Sequence, residues 1–115
     1  MVRVVIADND RDALDLIALD LRLEGHEVAA AVADGADAVA ACDRERPDVL
    51  VVDYRMPPGM NGVEVARVVL AGATAQRVIV YSNYQDPKVV NAAKHVGARW
   101  LQKGNLAALR RAVCA

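Results

Sequence analysis

The amino-acid sequence predicts an α/β fold of the doubly wound (βα)5 type, in which helices cover both faces of a five-stranded parallel sheet. Short runs of Val, Ile and Leu alternate five times with longer stretches of helical spacing. The apolar runs are nearly continuous, as expected for strands that are buried on both faces. A length of 115 residues suits one domain, which we expect to span residues 1–115.

The first half of the chain supplies two strand–helix units and a third strand. Strands are predicted at Val2–Ala7, Glu27–Ala33 and Val49–Val52. A helix is predicted over Asp10–Glu24, because its first residue can cap the N-terminus and a glycine follows its end. A second helix is predicted over Gly35–Arg46, because an aspartate precedes it and a proline follows it.

The second half supplies the remaining helices and two further strands, at Arg77–Ser82 and Ala98–Leu101. Helical spacing over Gly62–Ala71 follows a loop that is rich in Pro and Gly. The next helix runs from Asp86 to about Val96, and it starts with a capping residue followed by Pro at the first helical position. A short final helix opens at Asn105, another residue type that caps helices.

Composition excludes several classes of protein. Hydrophobic residues make up 55% of the chain, which is enough for one core and too much for a disordered protein. The net charge is −1 and no basic stripe is present, so we expect no direct binding to nucleic acid. No signal peptide or membrane-spanning run is apparent, and the two cysteines are widely separated, so we expect a cytoplasmic location.

Polar residues follow four of the predicted strands. They are Asp8 and Asn9, Asp53, Ser82, and Lys103. Because ligands and chemistry collect at the carboxyl ends of parallel strands, we expect these side chains to meet at one edge of the sheet. Two acids, an amide, a hydroxyl and an amine in one place suit phosphoryl transfer to a carboxylate, with a divalent cation bound by oxygen ligands.

Four sequence motifs resemble the receiver domains of response regulators in bacterial two-component systems. They are VVIADN at residues 4–9, DVLVVDYRMPPGMNG at residues 48–62, VYSN at residues 80–83 and GARWLQK at residues 97–103. The resemblance covers nearly the whole chain. It implies a flavodoxin-like fold with strand order 2-1-3-4-5 and phosphorylation by a sensor histidine kinase. It also implies a phosphoacceptor with at most self-catalysed phosphotransfer and autodephosphorylation, and not an enzyme in the usual sense.

The same resemblance implies a role for each motif residue. Asp53 is the phosphoacceptor. Mg²⁺ is held by Asp8, Asn9, Asp53 and the backbone carbonyl of Arg55. The residues that contact the phosphoryl group or follow its arrival are Ser82, Lys103 and Trp100.

Three features depart from the family pattern, namely Asn9, Pro58 and a short final helix. Asn9 stands where the family usually has a second acid, so one Coulomb partner of the cation is lost and we expect weaker Mg²⁺ binding. Pro58 makes the loop after Asp53 one residue longer than usual, which stiffens it beside the phosphorylation site. The sequence does not decide between a stand-alone receiver and one part of a longer protein.

The first predicted helix has two apolar faces. One of them suffices to cover the sheet, whereas Leu16, Leu19 and Leu23 lie nearly opposite. We expect this second stripe to be a partner surface, in a homodimer or against a fused or separate output domain. The alternative is that Leu16 is partly buried and the others are scattered surface residues.

Two other functions compete with the phosphorylation switch. Asn9 and Pro58 favour a phosphorylation-independent pseudo-receiver, which would act as a dimerisation or docking module. A flavin-binding protein or a small hydrolase is less well supported, because acids occupy the turn after the first strand. An aspartyl-phosphate hydrolase would also want an acid two residues after its nucleophile, where this chain has Arg55.

Overall fold

The computed structural model describes residues 1–115 and contains one parallel sheet with strand order β2-β1-β3-β4-β5. The strands are β1 (Arg3–Ala7), β2 (Glu27–Val32), β3 (Val49–Val52), β4 (Arg77–Ser82) and β5 (Arg99–Gln102). The strands are added in one direction from β1 to β2 and in the opposite direction from β3 onward. As a result β1 and β3 are neighbours in the sheet, although β2 lies between them in the chain. Both the α/β class and the order 2-1-3-4-5 are therefore confirmed.

Five helices connect and follow these strands. They are α1 (Arg11–Leu23), α2 (Gly35–Glu45), α3 (Gly62–Ala71), α4 (Pro87–His95) and α5 (Leu106–Cys114). An Asp or Asn side chain caps each N-terminus, and at α3 it forms a reciprocal capping box with Glu64. The final helix has nine residues, the same length as α4, although the sequence suggested that it stops almost at once.

Successive side chains of the strands point to opposite faces of the sheet and form two separate cores. On one face, Val5, Leu50 and Val78 pack with residues of α2, α3 and α4. On the other, Ile6 and Ile79 pack with residues of α1 and α5. The sheet is therefore covered on both sides, and its carboxyl edge is left for polar residues. No helix is both long enough and apolar enough to cross a membrane.

Two arginines fix α5 in position. The Arg77 guanidinium, at the start of β4, donates to the carbonyl oxygens of Ala112 and Val113 at 2.8 and 2.7 Å. These contacts satisfy carbonyls that the end of a helix leaves unpaired. Arg110 of α5 forms a forked ion pair with Asp20 of α1, with a shortest distance of 2.7 Å. The helix after the predicted site is thus tied to both α1 and the sheet.

Candidate functional site

The parallel register brings the polar residues to one edge of the sheet. Ala7 of β1 pairs with Val52 of β3, and the Asp53 N–H donates to the Ala7 carbonyl at 2.9 Å. Asp8 and Asp53, the residues directly after these two neighbouring strands, therefore lie beside each other at the edge of the sheet. On the other side, the Lys103 N–H donates to the Ser82 carbonyl at 3.1 Å. Strands one, three, four and five therefore deliver their terminal residues to a single site, as the sequence predicts.

Lys103 forms the centre of this site. Its ammonium lies 2.5 Å from Oδ2 of Asp8 and 3.5 Å from Oδ2 of Asp53. All three side chains are largely removed from water, with exposed fractions of 2% for Asp8, 11% for Asp53 and 16% for Lys103. The two carboxylates exceed the single ammonium by one negative charge, so a cation is favoured there.

The three charges influence one another strongly. Burial raises the pKa of the Asp53 carboxyl, the Asp8 carboxylate raises it further, and Lys103 lowers it, with a net rise above the ordinary value. Burial lowers the pKa of Lys103, but the hydrogen bond to Asp8 and the charges of both carboxylates outweigh it, so that pKa is also raised. The ammonium therefore keeps its proton and acts as a fixed positive charge.

Backbone donors orient the acids and the hydroxyl. Oδ1 of Asp8 accepts from the Asp10 N–H at 2.9 Å, and Oδ1 of Asp53 accepts from the Tyr54 N–H at 2.8 Å. Oδ2 of each carboxylate is thereby directed toward Lys103. Oγ of Ser82 accepts from the Tyr84 N–H at 3.0 Å, which leaves its hydroxyl proton available for an incoming oxygen.

An open cavity of about 360 Å³ lies above these groups. Its walls are Asp53, Arg55, Ser82, Asn83, Tyr84 and Lys103. Asp8 is buried, and Lys103 reaches it, so that carboxylate lies at the base of the site. Asn9 is exposed and its side chain forms no hydrogen bond. The cavity can hold a phosphoryl group with Asp53, Ser82 and Lys103 around it.

The donor set fits a hard divalent cation. Mg²⁺ prefers oxygen ligands and retains several waters, so it is usually held by one or two carboxylates. Asp8 and Asp53 provide two buried carboxylates beside each other. The residues present therefore suit Mg²⁺, although no third acid lies close enough to complete an all-carboxylate cluster.

Trp100 lies outside the cavity. Its ring is half-buried and packs against the core on the α2, α3 and α4 face, and its indole N–H is buried without a hydrogen-bond partner. An unpaired buried donor is unfavourable by about 1–3 kcal/mol. A rearrangement that gives this N–H a hydrogen-bond partner would therefore be favourable.

Sequence reasoning missed Gly62, the first residue of α3. A Cβ at this position would lie 2.2 Å from the carbonyl oxygen of Asp53. The Gly62 N–H also donates to the Tyr54 carbonyl at 2.8 Å, so the chain passes directly against Asp53 and Tyr54. The loop between them contains a cis peptide bond between the exposed residues Pro57 and Pro58. The helical spacing that follows the Pro- and Gly-rich loop predicted a helix start at Gly62 but not this close contact.

Comparison with known proteins identifies the family of the chain. A family model for the response regulator receiver domain matches residues 4–112. Transcriptional regulatory protein PrrA of Mycobacterium tuberculosis is 44% identical over 69 residues, which are 60% of this chain and 29% of that protein. DNA-binding response regulator MtrA of the same species is 33% identical over 88 residues, which are 76% of this chain and 38% of that protein. The chain therefore spans well under half the length of these curated relatives.

Comparison with solved structures also finds response regulator receiver domains. The signal receiver domain of the response regulator NarL from Mycobacterium tuberculosis has a TM-score of 0.91 and 33% identity, over 98% of this chain and 93% of that one. The CheX-CheY-BeF3-Mg complex from Borrelia burgdorferi has a TM-score of 0.86 and 23% identity, over 95% of this chain and 84% of that one. The latter shares the fold, and that complex contains Mg²⁺. On the family match and the NarL likeness together, this chain belongs to the response regulator receiver domain family.

Proposed function

We propose that the chain accepts a phosphoryl group on Asp53 from a sensor histidine kinase and switches the surface that a partner or output domain reads. The observation that supports this most is the position of the Lys103 ammonium between Asp8 and Asp53, beneath an open cavity that has room for a phosphoryl group. In the transfer step, an Asp53 carboxylate oxygen bonds to phosphorus. The bond from phosphorus to the donor breaks, and the donor group leaves with the electron pair.

Two residues that line the cavity with Asp53 each contribute one interaction to this step. Lys103 balances the charge on a phosphoryl oxygen, and the Ser82 hydroxyl donates to another oxygen. Drawing Ser82 toward the phosphoryl group shifts the segment that leads into α4, and Trp100 follows on β5. The phosphoryl contacts thereby bias two conformations that already exist.

A bound Mg²⁺ ion would neutralise the charge that gathers on the phosphoryl oxygens. Asp8, Asp53, Asn9 and the Arg55 backbone carbonyl would hold it. The amide of Asn9 supplies an oxygen but no charge, so we expect phosphorylation to require more Mg²⁺ than a site with a second acid would. The exposed position of Asn9 favours the second candidate, a pseudo-receiver that is not phosphorylated.

Incubation with acetyl phosphate separates the two candidates. We expect the intact mass to rise by one phosphoryl group when Mg²⁺ is present, and not when it is chelated. Asp53→Ala is expected to gain nothing, because the nucleophile is lost. A folded wild-type protein that gains no mass at high Mg²⁺ would support the pseudo-receiver instead.

We also propose that the exposed leucines of α1 join two copies of the chain. Leu16, Leu19 and Leu23 are 53%, 55% and 78% exposed, and they lie on the side of α1 away from the core. The double substitution Leu19→Glu and Leu23→Glu is expected to abolish self-association in sedimentation experiments, because burying charge there is unfavourable. Val68→Glu on α3, also at an exposed apolar residue, is the control. An unchanged mass in the double variant would contradict this surface.

We propose that the output of the phosphorylation signal is carried by another domain or another chain. PrrA and MtrA are named as a transcriptional regulator and a DNA-binding regulator, and this chain covers only a minor part of each. The present domain has a net charge of −1 and offers no basic stripe for DNA. We therefore expect the phosphorylation signal to reach a fused or separate output domain, and the domain itself to work in the cytoplasm.

A further inference from the structure

Three side chains form a cluster at the mouth of the Asp53 cavity. The rings of Tyr54 and Tyr84 are stacked, with centroids 5.0 Å apart and an interplanar angle of 25°. The Arg55 guanidinium carbon lies 4.7 Å from the centroid of the Tyr84 ring. A guanidinium over an aromatic face at this distance makes a cation–π contact. The β3–α3 loop and the segment after β4 are therefore held together beside the phosphoacceptor.

The charge of Arg55 is not balanced by any acid. Among the cations that line the cavity, Lys103 is paired with Asp8 and Asp53, whereas Arg55 forms no ion pair. The Arg55 guanidinium lies over the Tyr84 ring and donates no hydrogen bond within the protein, so its N–H donors are free. The structure thus holds an unpaired cation with free donors on the wall of the cavity that also contains Asp53.

We propose that the Arg55 side chain binds the phosphoryl group of the incoming donor, and that Tyr84 is the residue that positions it. This role rests on the proposed phosphorylation of Asp53 and is separate from that of the Arg55 backbone carbonyl. The planar guanidinium fork matches two oxygens of a phosphoryl group, which a lysine cannot do. Arg55 keeps its proton throughout, while the Asp53 oxygen bonds to phosphorus and the donor group departs.

The charge balance explains why a second cation is useful here. Asp8, Asp53 and Lys103 together carry one negative charge. A bound Mg²⁺ ion would offset that charge, but the incoming donor brings further negative charge of its own. The positive charge of Arg55, on the cavity wall, balances part of the charge on the donor. Its contribution is electrostatic, so it raises the rate of phosphorylation and makes that rate sensitive to salt.

The test is the initial rate of phosphorylation by acetyl phosphate at saturating Mg²⁺, followed by intact mass. Arg55→Met is expected to lower this rate about tenfold, the effect of losing a charge-assisted hydrogen bond. Arg55→Lys keeps the charge without the fork, so we expect a smaller loss. Arg67→Met, which removes the same charge from an exposed position on α3, is the matched control and is expected to leave the rate unchanged.

Substitutions of Tyr84 and the dependence of the rate on salt distinguish phosphoryl binding by Arg55 from a structural effect on the loop. Tyr84→Leu removes the ring and is expected to lower the rate more than Tyr84→Phe, which keeps it. The wild-type rate should fall with ionic strength more steeply than the Arg55→Met rate, since only the wild type has the second cation. A role confined to holding the loop would leave both salt slopes equal.

The outcomes separate this inference from the proposed function. If the folded wild type is not phosphorylated, both are wrong. If it is phosphorylated, but Arg55→Met matches Arg67→Met in rate and in salt slope, only the role of Arg55 is overturned. Circular dichroism verifies the fold of each variant, and Arg55→Gln repeats the loss of charge with a polar side chain.

Discussion

Lys103→Met is expected to slow phosphorylation of Asp53 by about a hundredfold or more. In the wild type, the ammonium lies 2.5 Å from Asp8 and 3.5 Å from Asp53. Without it, two buried carboxylates face each other, and the pKa of Asp53 loses the influence that lowers it. The phosphoryl oxygens also lose their fixed positive charge. The rate of acetyl phosphate labelling, measured by intact mass at saturating Mg²⁺, gives the effect directly.

Lys94→Met provides the control, because Lys94 is exposed in the last turn of α4 and lies outside the cavity. We expect its labelling rate to match the wild type. Lys103→Arg should recover only part of the rate, since a guanidinium fork cannot occupy the position of a compact ammonium. If Lys103→Met were labelled as fast as Lys94→Met, the electrostatic role assigned to Lys103 would be wrong.

Gly62→Ala is expected to destabilise the fold by about 3 kcal/mol. The added Cβ would lie 2.2 Å from the Asp53 carbonyl oxygen and 3.0 Å from the Tyr54 Cα, so the backbone itself must move. Urea denaturation followed by circular dichroism measures the change in the free energy of unfolding. The displaced Asp53 should also be phosphorylated more slowly in conditions where the variant is still folded.

A second glycine provides the comparison. Gly72 follows α3 with a φ of −83°, and the nearest atom to an added Cβ is a Val68 oxygen at 3.4 Å. Gly72→Ala is therefore expected to change stability by less than about 1 kcal/mol, with a gain favoured by the smaller entropy of the unfolded chain. If Gly62→Ala and Gly72→Ala had equal free energies of unfolding, the backbone at Gly62 would accommodate the added Cβ without loss of stability, which would contradict this prediction.

The architecture could be predicted because each element carries a local signal. Continuous apolar runs indicate buried parallel strands, and an Asp or Asn precedes every helix. The position of Asp8, Asp53, Ser82 and Lys103 followed from one rule about the carboxyl ends of parallel strands. The roles of these residues came from the family resemblance, and the experiments above test them.

Other features depend on contacts between segments that are distant in sequence. Nothing local announces that Gly62 lies against the Asp53 carbonyl, because that contact depends on how the β3–α3 loop returns to the sheet. The stacking of Tyr54 on Tyr84 likewise joins residues that follow different strands. The exposure of Leu19 was suggested by helical spacing, whereas its exposed fraction of 55% depends on the packed structure.

The position of the phosphoryl group tests the central claim most directly. An aspartyl phosphate is reduced by borohydride at its carbonyl carbon, with loss of phosphate, and the residue becomes homoserine. After labelling with acetyl phosphate and Mg²⁺, reduction and peptide sequencing by mass spectrometry, we expect homoserine at position 53 and at no other aspartate. Homoserine at Asp8 or Asp10 instead, or a chain with no homoserine after complete reduction, would contradict the assignment of Asp53 as the phosphoacceptor.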